Sequence, residues 1–207
     1  MHSGALESLE SDKNKHLFQA SAEVCAIIVA GMDDTSTDDD GYESRTELDS
    51  HANMPVVGEN AFVLAETGRF CEVSAFTPDY EPMKVRIVDA ALLQYDCPFR
   101  GTVHILVIRN CLYVPTMTNN LIPPFIMREA GVEINDRPKI HTDNPGVEDH
   151  SIYFPESEFR IPLTLNGVFS GFPTSKPDTQ TLQECDDVYM LTPTRWNPHD
   201  TAYRQNE

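Results

Sequence analysis

Thr102-Val103-His104-Ile105-Leu106-Val107-Ile108, continued by Cys111-Leu112-Tyr113-Val114-Pro115, is the stretch that decides the fold class. β-branched residues dominate it, Val103, Ile105 and Val107 alternate along it, and turn residues flank it, so it reads as the central strand of a sheet. Working outward, Lys84-Val85-Arg86-Ile87-Val88 and Glu72-Val73-Ser74-Ala75-Phe76 alternate polar and apolar residues as half-buried strands do. Ala61-Phe62-Val63-Leu64-Ala65 adds a short strand. Downstream, Pro124 can open a helix at a first-turn position, Phe125 to Ala130 continues it, and Gly131 can cap it. It is the one convincing helix between Thr46 and the C-terminal region. Fifteen prolines and ten glycines scattered among short apolar runs fit many turns and few long helices. The chain is expected to be mainly β.

The ends read differently. Residues 1–45 are expected to be a disordered acidic tail and linker. A loose helix is conceivable from Leu6 to Met32, but Asp33-Asp34-Thr35-Ser36-Thr37-Asp38-Asp39-Asp40-Gly41 has no apolar residue to bury. Beyond Gly131, Ser151-Ile152-Tyr153-Phe154 and Arg160-Ile161-Pro162-Leu163-Thr164-Leu165 bracket a Pro-Glu-Ser-Glu turn. Asn166-Gly167 then turns the chain into Val168-Phe169-Ser170-Gly171-Phe172. Lys176 to Asp187 reads as a polar connection, and Val188-Tyr189-Met190-Leu191-Thr192 as a last strand. Residues 132–207 therefore form a β-rich extension.

Charge and composition exclude several functions. A net charge of −18 repels phosphate backbones, and Lys84, Arg86, Arg100 and Arg109 form no basic run, so direct nucleic-acid binding is not expected. The apolar stretch from Val24 to Met32 is far shorter than the roughly 20 residues of a membrane span and lacks the basic flank of an export signal. Cys25, Cys71, Cys97, Cys111 and Cys185 are odd in number, widely spaced and without a Cys-x-x-Cys pair. They read as reduced, mostly buried thiols of an intracellular, cytoplasmic protein rather than disulfides or zinc ligands. His141, His150 and His199 read as ordinary surface histidines. No metal or other cofactor is expected.

One loop carries chemistry. In Leu48-Asp49-Ser50-His51-Ala52 an Asp-Ser pair follows a short strand and leads toward another, Val56-Val57. Where two such loops face each other, two carboxylates share one proton, because like charges a few ångströms apart do not both ionise easily. The ionised carboxylate then takes a proton from water while the protonated one donates to a peptide carbonyl.

About sixty residues after Asp49 come Cys111-Leu112-Tyr113-Val114-Pro115 and then Asn119-Asn120-Leu121-Ile122-Pro123-Pro124 running to Gly131. That order resembles the protease segment of copia-type retrotransposon polyproteins, where an Asp-Ser-Gly-Ala loop precedes a Leu-Tyr-Val-Pro strand and an Asn-Leu-Leu … Gly helix. The likeness covers residues 46–131. It implies a retropepsin-like closed β barrel with one short C-terminal helix, in which Leu121 to Gly131 supplies the final strand and helix. It further implies an aspartic endopeptidase that cleaves peptide segments of its own polyprotein. Asp49 and Ser50 take the catalytic positions, and Ala52 and Asn53 the substrate-binding ones. Only one Asp-Ser loop of this kind is present, so the second carboxylate must come from a homodimer partner. The sequence departs from the family at His51, which stands where the family has Gly, and no glycine lies between Val85 and Gly101 to build a glycine-rich flap. A working loop therefore predicts an ordinary φ below zero at His51. Two other readings stand beside the protease: a catalytically inactive retropepsin-fold dimerisation or scaffold module, and an acidic interaction domain in which Asp49 only bonds its own turn.

Overall fold

The computed structural model describes residues 21–23, 44–74, 81–95 and 102–204. Its first strands are β1 (Ser21–Glu23), β2 (Arg45–Leu48), β3 (Val56–Val57), β4 (Phe62–Ser74), β5 (Met83–Tyr95), β6 (Val103–Tyr113) and β7 (Asn120–Ile122). Helix α1 (Pro124–Glu129) follows, then β8 (Glu133–Asn135), β9 (Ser151–Phe154), β10 (Phe159–Pro162), β11 (Thr164–Asn166) and β12 (Phe169–Pro173). Helix α2 (Thr179–Glu184) and β13 (Asp187–Met190) complete the order. The expectation of a mainly β chain holds.

β6 is central for a reason visible in its side chains. Leu106 and Ile108 face one core with Val88, Ala90 and Leu92 of β5, while Ile105 and Val107 face another with Ala91 and Leu93. Both faces are covered, which is why the strand is a nearly continuous apolar run. β5 pairs antiparallel along almost its whole length, β3 joins its C-terminal end in parallel, and β13 its N-terminal half in parallel.

A bulge interrupts the β5–β6 ladder: Val88 faces Cys111 and Ala90 faces Ile108, so Asp89 stands opposite both Arg109 and Asn110. Asn110 takes a positive φ of 55° there. Asp89 satisfies the irregularity, accepting from the Asn110 amide at 3.0 Å and from Arg109 Nη1 at 2.7 Å. The Trp196 indole donates to the Arg109 carbonyl at 2.9 Å, and the Arg109 amide donates to Thr192 Oγ1 at 2.7 Å. The C-terminal segment thereby serves the backbone groups that the bulge withdraws from the ladder. Burial pushes the Cys111 thiol well above its usual range, with the Asp89 charge adding to it.

α1 follows its sequence signals. Pro124 sits in the first turn, and Gly131 adopts a φ of +81° just past the end. The Gly131 amide donates to the Arg128 carbonyl and the Val132 amide to that of Met127, the paired bonds of a Schellman stop, with Val132 and Met127 buried in one core.

The large sheet runs β1-β4-β5-β6-β3-β7-β2-β12-β11, with β13 branching from β6. Among the described residues its two ends do not pair, so the closed barrel that the resemblance implies is not found. The sheet stays open because β2 is met on its far side by the β12–β11 hairpin, which ends the path at β11. A second, three-stranded sheet has the order β10-β9-β8. The extension shares the main core: Ile152, Phe154, Phe159, Ile161, Leu163, Phe172 and Leu191 pack with Val57, Val88, Leu106 and Ile122.

Some expectations were too coarse. The two short strands expected over Ala61–Ala65 and Glu72–Phe76 are joined in one strand, β4, whose register shifts between Glu66 and Arg69 where Gly68 has a φ of 71°; Ala75 and Phe76 lie outside the described residues. The polar connection from Lys176 contains α2, whose first turn Asp178 caps by accepting from the Thr181 amide at 2.7 Å. Of the expected tail, Ser21–Glu23 is extended and parallel to β4 rather than helical, and Arg45 already belongs to β2; apart from Ser44, the rest of the tail and of the loose helix expected there lies outside the described residues. Cys71 and Cys111 are buried and Cys185 is half-buried, while Cys25 and Cys97 lie outside the described residues.

The Asp49 loop as candidate functional site

The loop from Asp49 to Pro55 joins β2 to β3, and β7 lies between those two strands, parallel to β2 and antiparallel to β3. β12 closes β2 from the other side, with Gly171 opposite Glu47. A Cβ on Gly171 would stand 2.7 Å from the Thr46 carbonyl oxygen, so glycine permits this close approach. Beneath the loop lies a buried polar network. Thr46 Oγ1 and Thr174 Oγ1 are 2.9 Å apart, Asn120 Nδ2 donates to Thr46 Oγ1 at 3.2 Å, and Asn120 Oδ1 accepts from the Gly58 amide at 2.9 Å. Three distant segments are thus tied by groups that burial obliges to find partners. On the other face, Glu47 accepts from Arg45 Nε at 2.7 Å and from Asn119 Nδ2 at 3.1 Å.

The loop is anchored where it starts. The Asp49 amide donates to the Ile122 carbonyl at 3.0 Å, extending the β2–β7 ladder by one bond. The half-buried Asp49 side chain turns back on its own loop: Oδ1 accepts from the His51 amide at 2.9 Å and the Ala52 amide at 3.3 Å. Among the described residues nothing bonds Oδ2. The carboxylate is therefore oriented by two peptide dipoles and keeps one oxygen for an outside partner.

The other expected site residues separate by exposure. Ser50, His51 and Asn53 are exposed, and Ser50 Oγ lies 3.4 Å from His51 Nδ1. Ala52 is 6 % exposed, so it offers a ligand little beyond its backbone. His51 is not among the positive-φ residues, which outside glycine are Asn110, Asn144, His150 and Glu158 among those described. The loop accommodates the imidazole without left-handed strain. The supporting network, Thr46, Asn120 and Thr174, was not singled out from sequence. Asn120 and Thr174 are 54 positions apart, and no spacing rule joins them.

His150 corrects the expectation of a surface histidine: it is 3 % exposed, has a φ of 51°, and its Nε2 lies 2.9 Å from Ser170 Oγ of β12. Burial holds its pKa below the ordinary value, the Lys139 charge adds to this, and Asp136 opposes it. The unfolded chain therefore binds the proton more readily. Stability from this group is present above the unfolded pKa of about 6.5 and is lost as pH falls through the depressed folded value. Chemical denaturation from pH 7.5 to 5 should show a loss of stability that His150→Gln flattens; an identical pH slope in the variant would remove His150 as its source.

Among the described residues no group of three or more His, Cys, Asp or Glu is placed to hold a metal ion, and no helix is long and apolar enough to cross a membrane. No protein-family model, curated protein or solved structure matches this chain.

Proposed function

We propose that this chain is one half of an aspartic endopeptidase of copia-type retrotransposon origin, which cleaves its own polyprotein through an Asp49 dyad formed by homodimerisation. The observation that carries the reading is the Asp49 carboxylate, with Oδ1 held by its own loop and no partner at Oδ2 among the described residues. The strand β7 (Asn120–Ile122) followed by α1 (Pro124–Glu129), at the Leu121–Gly131 segment to which the resemblance assigns a strand and a helix, supports it. In the dyad, an ionised Asp49 takes a proton from water as the water oxygen bonds to the scissile carbon. The partner's protonated Asp49 gives its proton to the carbonyl oxygen, and collapse of the resulting diol expels the amine, which takes a proton from the dyad.

The inactive scaffold module is the second reading, and His51 is its observation. The ring sits on the exposed loop against Ser50, and a cationic imidazole beside the carboxylates would favour the doubly ionised state over the shared proton. The test is incubation of the full chain with its flanking polyprotein segments at mildly acidic pH, read by fragment mass. Cleavage with a specific rate that rises with protomer concentration is expected. His51→Gly should preserve or raise that rate, at a stability cost of about 1 kcal/mol or less from added backbone freedom. Wild type and His51→Gly that both dimerise and are both inert at every pH would leave only the scaffold.

A further inference from the structure

The β11–β12 hairpin turns at the Asp49 end of β2. β12 runs antiparallel to β2 and the pairing ends with Gly171 opposite Glu47; carried on by two residues, that register brings Phe169 level with Asp49. The turn itself is tight: Asn166 pairs with Phe169, and Gly167 takes a φ of 60° at the first of the two linking positions. At its tip Val168 is 86 % exposed and Phe169 47 % exposed. From Ile161 to Ser175 there is no charged residue, in a chain whose net charge is −18. Soluble proteins ordinarily guard a sheet edge with charge or proline, and β11 itself, the terminal strand of the sheet, carries Thr164, Leu165 and Asn166, all exposed.

We infer that this hairpin tip is a self-association surface, and that its occupant is a second copy of the chain approaching at the Asp49 end. Two arguments choose that occupant. Two copies of a chain with a net charge of −18 repel each other on the whole, so an uncharged apolar segment is where they can meet at least cost. The candidate site is also incomplete without a partner's carboxylate, and the tip is level with the loop that needs it; this second argument rests on the proposed function. Lateral pairing of β11 with its counterpart is the wrong geometry. It would leave the two β2 strands five strand spacings apart, about 24 Å, whereas a dyad needs a few ångströms. The tips and the Asp49 loops therefore face the partner end-on.

The experiment compares the full-length wild type with Val168→Asp/Phe169→Asp by sedimentation equilibrium over a concentration series, with circular dichroism and a thermal melt as the fold control. Wild type should associate to a dimer, and the double variant should raise the dissociation constant at least tenfold with an unchanged spectrum. The single Val168→Asp, at a position almost wholly in solvent, repeats the test should the double variant melt early. A wild type that is monomeric throughout, or variants that dimerise as wild type does, would overturn the inference. Asp49→Asn separates it from the protease reading. A wild-type dimer that cleaves nothing, that Asp49→Asn preserves and that the tip variants break keeps the interface and removes the enzyme. Cleavage by a dimer insensitive to the tip variants keeps the enzyme and removes the interface.

Discussion

Asp49→Asn is expected to lower peptide cleavage by about 10²–10⁴-fold, the range that general acid–base catalysis supplies, while leaving the chain folded. The amide cannot accept the proton of the attacking water, and it cannot share a proton across a two-fold axis. The substitution is otherwise gentle. Asn keeps a carbonyl oxygen to accept from the His51 and Ala52 amides, so the turn that Asp49 closes has the same bonds available. The anchor to β7 is made by the Asp49 backbone amide and is untouched by the change. In a dimer the variant also replaces two closely placed carboxylates with neutral amides, so association should hold or strengthen. Fragment analysis beside sedimentation decides the matter. Cleavage at the wild-type rate by Asp49→Asn would show that Asp49 is not catalytic.

Phe172→Ala is expected to destabilise the protein by about 3–5 kcal/mol, the range for deleting a buried Phe side chain and leaving its cavity. Phe172 is 0 % exposed and lies in a core built jointly from residues on both sides of Gly131. Against a typical total of about 5–15 kcal/mol this is a large fraction, and at about 2–4 °C per kcal/mol the melting midpoint should fall by roughly 6–20 °C. The loss should also reach the loop. β12 holds one side of β2, and the Thr46–Thr174 contact crosses the same seam, so loosening β12 frees the strand that delivers Asp49. Calorimetry gives the magnitude, and amide exchange at Thr46 and Glu47 gives the local effect. A shift under about 1 kcal/mol with unchanged exchange would mean that β12 does not pack as described.

Local signals carried much of the fold. The apolar run of β6 announced a buried strand, the Pro124 and Gly131 pair marked both ends of α1, and Asn166-Gly167 marked a hairpin. What stayed illegible was long-range. Nothing near Asp89 says that a bulge opposite it will be capped by Trp196, and nothing near His150 says that Ser170 will lie against it. The short polar residues Thr46 and Asn120 resemble turn residues until the sheet order brings them together. The Asp49 loop was found because its chemistry is local, whereas the groups that hold it are spread across the chain.

The position of β7 between the strands flanking that loop also sets a clock. β2 is made well before either of its neighbours: one is β7, at Asn120–Ile122, and the other is β12, ending at Pro173. Contacts that span so much chain form late, because loop closure precedes any reward from pairing. A nascent chain with Asp49 already outside the ribosome has no anchored loop to present. The strand leading to Asp49 gains both its neighbours only when some 120 further residues have been added, which ties assembly of the loop to synthesis of β12.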